Sequence, residues 1–128
     1  MPGKLCCWSF RRPMFLIGMI GLSLIGTITC QRMIQNRLTV ENHSGQQVSN
    51  LQIIVDGTYS VVTFKDIPIG GRVTSPHGTI WGDGYYEVSG VLADGTKLTG
   101  YYGYLTNGMF DVHSRFVIKT GGTIDFKY

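Results

Sequence analysis

Acid–base, nucleophilic and metal chemistry draws on histidines, cysteines and carboxylates, and this chain holds few of them in usable arrangements. The histidines are His43, His77 and His113, and none has a second His or a Cys at ligand spacing. HExxH, CxxC and HxH patterns are absent. All three are expected to be solvated or locally hydrogen-bonded, His43 and His77 in turns and His113 on the polar face of a strand. Asp56, Asp83 and Asp94 each precede a glycine, where Asp is a turn residue first. No EF-type calcium loop and no G-x-S-x-G elbow occurs. Cys6, Cys7 and Cys30 are the only cysteines, so the chain beyond residue 30 has no thiol nucleophile. Gly70-Gly71 and Trp81-Gly82-Asp83-Gly84 do not lead into helices, which leaves no helix dipole to cradle a phosphate. The reading is no catalytic residue, no metal site and no cofactor: not an enzyme.

One cluster does suggest binding. Trp81, Tyr85, Tyr86, Tyr101, Tyr102 and Tyr104 fall within a short stretch. Adjacent pairs such as Tyr85-Tyr86 and Tyr101-Tyr102 on strands place one ring on each face of a sheet. At least two rings are therefore expected outside, where aromatics anchor a protein partner or stack on sugars. Cross-strand pairing that merely stabilises the sheet is the competing explanation.

The elements that position these residues follow a leader of different character. Residues 1–37 hold five bases and no acid, whereas residues 38–128 hold six bases against eight acids, a net of −2. The overall charge of +3 thus belongs to the leader. A nucleic-acid partner is not expected, because the later part reads as having no basic stripe to neutralise phosphates. Residues 1–12 form a basic segment, and residues 13–30 contain no charge. As a helix those eighteen residues rise about 27 Å, just enough to span a thin bilayer. An uncleaved single-pass anchor with a cytoplasmic N-terminus is the preferred reading. A cleaved signal peptide is the alternative, although Thr27-Ile28-Thr29 makes a poor cleavage site. Lipid attachment at Cys30 is a weaker third, since Thr29 is a poor residue before a lipidated cysteine. Under each reading the remainder leaves the cytoplasm. Cys6-Cys7 are candidates for acylation, and Cys30 for cross-linking a homodimer.

Residues 31–37 read as a linker and residues 38–128 as one domain of strands and turns. Strands are expected at Leu38–Asn42, Val48–Val55, Tyr59–Phe64, Arg72–Ser75, Tyr85–Leu92, Lys97–Thr99 and Tyr102–Thr106, with two more near the C-terminus. In the last third Phe110, Val112, Ser114, Phe116 and Ile118 alternate with Asp111, His113, Arg115 and Lys119, the period of a sheet with one wet side. Asp94-Gly95 and Asn107-Gly108 are expected to close type I′ hairpins. Asn42-His43-Ser44 matches a glycosylation sequon. The fold class is all-β: a small antiparallel immunoglobulin-like β-sandwich of about seven or eight strands, preceded by one transmembrane or signal helix, with a small barrel as the alternative.

Leu38-Thr39-Val40-Glu41-Asn42-His43-Ser44-Gly45, then Ile67-Pro68-Ile69-Gly70-Gly71, Asp94-Gly95 and Gly103-Tyr104-Leu105-Thr106-Asn107-Gly108 give an order of signals that resembles small uncharacterised bacterial envelope proteins. The resemblance implies an N-terminal signal or anchor followed by one β domain and carries over no site residue. The expectation is a membrane-anchored domain facing the periplasm or the outside that binds an envelope protein or, in an immunity role, a toxin. A secreted carbohydrate-binding module is the alternative.

Overall fold

The computed structural model describes residues 35–128. The basic segment, the 13–30 candidate span, the first part of the 31–37 linker and all three cysteines lie outside the described residues. No helix among the described residues is long and apolar enough to cross a membrane.

Eight strands form: β1 (Arg37–His43), β2 (Val48–Val55), β3 (Ser60–Ile67), β4 (Arg72–Pro76), β5 (Gly84–Leu92), β6 (Lys97–Leu105), β7 (His113–Lys119) and β8 (Ile124–Lys127). They make two four-stranded sheets, ordered β4-β1-β7-β8 and β3-β2-β5-β6. Alternation decides which side chains go in. In β1 Leu38, Val40 and Asn42 are buried while Thr39 and Glu41 face outward; in β7 Ser114, Phe116 and Ile118 are buried. These meet Leu51, Ile53, Val55, Tyr86, Val88 and Leu98 from the other sheet in one shared core. The result is a sandwich-like all-β fold in which each sheet keeps one wet face.

Four local expectations are corrected. First, β1 and β7 run parallel, with Val40 opposite Phe116, so the first sheet is not purely antiparallel. The first strand pairs with the fourth and seventh and the second with the third and fifth, whereas an immunoglobulin constant domain groups first, second, fourth and fifth. Second, Lys97–Thr99 and Tyr102–Leu105 belong to one strand, β6, bent at Gly103 (φ 65°) by a bulge, with Thr106 just beyond its end. A Cβ at Gly103 would stand 2.7 Å from the Phe126 ring. Third, neither Asp-Gly nor Asn-Gly closes a type I′ turn, because only Gly95 and Gly108 take positive φ. Leu92 accepts from the Gly95 N–H at 3.0 Å and donates to the Thr96 carbonyl at 2.9 Å, a three-residue loop with a left-handed glycine. Gly108 lies in the crossover between sheets. Fourth, Phe110 does not share the inward phase of β7; the chain turns at Asp111 (φ 57°) and leaves Phe110 exposed.

Two buried asparagines tie the loops to β1. Asn42 Nδ2 donates to the carbonyls of Gln46, Ile67 and Pro68 at 2.7, 3.0 and 3.1 Å. Its Oδ1 accepts from the Ser44 N–H and hydroxyl at 3.1 and 2.7 Å. The sequon asparagine is thus a fully buried knot, closed to glycosylation in the fold. At the other end Asn36 Nδ2 donates to the Gly78 carbonyl at 3.2 Å, and its Oδ1 accepts from the Val112 N–H at 2.9 Å.

Candidate functional site

The six aromatics divide by the geometry of β5 and β6. Tyr86 stands opposite Tyr102, and both rings turn inward. Tyr86 is fully buried, edge-on to Phe116 at 5.4 Å, and Tyr102 packs against Phe116 at 5.8 Å. Tyr86 and Tyr102 are therefore core and framework residues rather than contact residues. Tyr85 and Tyr101, one position away, face outward and meet edge-on with centroids 4.9 Å apart. Tyr101 is 66% exposed. The Gly103 bulge carries Tyr104 onto the same outer side. Its backbone N–H and carbonyl both bind the Tyr128 hydroxyl, at 2.8 and 2.7 Å. Its own hydroxyl donates to Asp83 at 3.1 Å, and that bond and charge hold the phenol above its ordinary pKa.

Trp81 is 77% exposed but belongs to the β4–β5 loop rather than to a strand. Its backbone N–H donates to the Gly57 carbonyl at 3.0 Å. Nearby loops present two further exposed rings, Tyr59 and Phe110, absent from the sequence-based set. Tyr59 follows the Asp56-Gly57 turn at φ 54°, a conformation that no periodicity signals. Phe110 was hidden by apparent alternation with β7.

His77 is buried and locally hydrogen-bonded, and His43 and His113 are exposed. The Ser114 hydroxyl donates to the Tyr86 hydroxyl at 2.7 Å, and a longer contact of 3.4 Å joins that hydroxyl to His77 Nε2. His77 Nδ1 lies 3.1 Å from the Gly78 carbonyl, which fixes the proton on Nδ1 and leaves Nε2 as acceptor. Burial lowers the His77 pKa, partly opposed by the Gly78 bond. Burial also pushes the Tyr86 hydroxyl up to about 12 despite the Ser114 bond. A serine, a tyrosine and a histidine in line suggest a nucleophile relay, but Ser114 is 1% exposed and no substrate reaches it. The chain is a polar seam satisfied inside the core. Among the described residues no three His, Cys, Asp or Glu side chains converge on a metal position. A cleft of about 540 Å³ between β3 and β4 is lined by Ser60, Thr63, Ser75 and His77 and has no charged side chain to hold a substrate.

No protein-family model matches the chain, and neither does any curated protein. Among solved structures, an NMR structure of a protein from Eubacterium rectale is similar, with a TM-score of 0.52 at 16% identity. The match covers 73% of this chain and 86% of that one. At this identity the likeness is one of fold alone.

Proposed function

We propose that the β domain is a non-enzymatic, extracytoplasmic protein-interaction module, held at a bacterial membrane by residues 13–30, and that its partner seats on the outer face of β5 and β6. The observation that carries this is the Tyr85–Tyr101 pair: two outward rings packed edge to face with centroids 4.9 Å apart on adjacent strands. Rings fixed in this way lose little entropy when a partner covers them, which is what makes tyrosine an interface anchor. Tyr104, also exposed, extends the ridge. The partner is an envelope protein or, in the immunity version, a toxin. Sugar binding is disfavoured by the 83° angle between the two rings, which gives no flat platform for a pyranose.

A photo-cross-linking residue at position 99, on the same outer face as Tyr101 one register step along β6, tests this in the native envelope. One discrete protein adduct is expected, reduced about 30-fold or more by Tyr101→Ala if that ring is a hot spot worth about 2 kcal/mol. An adduct indifferent to both Tyr85→Ala and Tyr101→Ala would overturn the assignment, and retention of the wild type on glycan resin would favour the carbohydrate reading.

A further inference from the structure

We propose that the end of the sandwich where the chain emerges from the leader docks onto an anionic phospholipid surface; this rests on the anchor reading of residues 13–30. β1 begins at Arg37, antiparallel to β4, which ends there, and parallel to β7, which begins there. The β2–β3 turn and the β4–β5 and β6–β7 loops gather at this same end. The Trp81 backbone N–H binds the Gly57 carbonyl, the Gly108 N–H the Ile80 carbonyl, and the His77 backbone N–H the Asn36 carbonyl, all within 2.8–3.0 Å. Three loops laced together present Tyr59, Trp81 and Phe110, each more than 70% exposed. Phe110 lines a crevice with Gln35 and Asn36, the first described residues of the chain.

The outer face of the first sheet, which starts at this end with Arg37 opposite His113, carries a cationic groove. Five of the seven Lys and Arg in the described residues (Arg37, Arg72, Arg115, Lys119 and Lys127) are on the outer face of the first sheet. A groove of about 420 Å³ on that face is lined by Arg37, Arg72, His113, Arg115 and Lys127 together with the Thr39 and Thr74 hydroxyls, and by Tyr128; no Asp or Glu side chain lines it. Glu41 reaches Arg72 and Arg115 from beyond the lining, at 3.6 and 3.8 Å. The acids of the loop end are engaged internally: Asp56 by the Gly57 N–H, Asp83 by Asn107 and Tyr104, and Asp111 by His113.

Trp, Tyr and Phe at a headgroup boundary with Arg and Lys against lipid phosphates is the chemistry of an interfacial contact. Reach supports it. Residues 31–36 separate Cys30 from the first strand and, fully extended, span at most about 21 Å. A domain tethered so closely holds its loop end near the headgroups.

Trp81 serves as the probe. In full-length protein with Trp8→Phe, Trp81 is the sole tryptophan, and its emission is read in vesicles of brominated phosphatidylcholine with phosphatidylglycerol. Loss of most of the emission is expected, with protection from aqueous iodide. Arg115→Glu combined with Lys127→Glu should restore emission, since each Lys or Arg near an anionic surface changes partitioning about fivefold. Undiminished emission from vesicle-held protein overturns the docking, and quenching unaffected by the charge reversal overturns the part given to the groove. Release of the chain by alkaline carbonate overturns the anchor reading instead, and the docking with it. The Tyr85→Ala, Tyr101→Ala variant should quench as the parent does, which separates this surface from the partner face.

Discussion

Replacing Asn42 by alanine should remove a large part of the domain's stability, even though position 42 faces no large cavity. The side chain makes five bonds, and the alternatives open to each partner set the cost. Gln46 O keeps the Ser44 hydroxyl at 2.9 Å, and Pro68 O keeps the Gly71 N–H at 2.9 Å. The buried Ser44 N–H loses the asparagine bond with no such replacement, while Ile67 stays in the β2–β3 ladder opposite Val48. The unpaired Ser44 N–H at about 2 kcal/mol and the other lost bonds at about 1–2 kcal/mol together give about 3–4 kcal/mol. A domain of this size holds on the order of 5–10 kcal/mol in all. The melting temperature should fall by roughly 15–30 °C.

Asn42→Asp sharpens the test. It keeps the acceptor toward Ser44 but turns a carboxylate oxygen toward three carbonyls, so at neutral pH it should be worse than alanine. The buried acid holds a proton in the folded state that the unfolded chain releases near about pH 3.9. The folded state then binds more protons, and stability rises as pH falls, narrowing the gap to alanine under acid conditions. Urea and thermal melts of residues 31–128 followed by far-ultraviolet circular dichroism read this; Trp81 fluorescence would not, since the indole is already in water. A loss under about 1 kcal/mol for Asn42→Ala, with Asn42→Asp no worse, would show that the knot pins only the local loops.

Phe116→Ala should cost about 3–5 kcal/mol by the same melts, because the ring is buried among Tyr86, Tyr102 and Phe126 with centroids 5.0–5.8 Å away. For His77, whose pKa is lowered from 6.5 by burial, the unfolded chain takes up a proton that the folded chain refuses. Its contribution to stability is therefore complete above that value and is lost as pH falls below it. The urea midpoint should drop between about pH 7.5 and pH 5.5, and His77→Gln should flatten that slope; an equal slope in both proteins would place the titrating group elsewhere.

Much of the layout was legible because alternation is a local signal. β2, β5 and β7 fall where period-two patterning puts them, and the outward phase of Tyr85 and Tyr101 follows from strand geometry alone. The inward phase of Tyr86 could also have been read: it keeps step with Val88 and Leu92 on the same strand. Asn42 keeps step with Leu38 and Val40, so a polar residue on the core side of β1 was visible, but its three carbonyl partners lie in distant loops and were not. Strand direction leaves no trace in alternation, which is why the parallel β1–β7 pair went unread. The extent of β6 was obscured by Gly103, whose effect is a bulge rather than a break. Phe110 shows the opposite error, a pattern that continues in sequence past the point where Asp111 turns the chain.

The parallel β1–β7 pair has a mechanical consequence. β1 is the first strand after the leader, and it lies inside its sheet, bonded to β4 on one side and β7 on the other. A strand at an edge can be peeled one bond at a time; a strand held on both sides must lose two ladders together. Under the anchor proposed for residues 13–30, a pull on the domain loads β1 along its own axis, in shear against β7. Asn36 and Asn42 clasp the two ends of that strand through buried bonds to the loops. In a domain without cysteines, these ladders and asparagine knots hold the point of attachment as a disulfide would elsewhere. The same arrangement fixes Arg37 beside the cationic groove and leaves the Tyr85–Tyr101 ridge on the opposite sheet, turned away from the face that carries the charge.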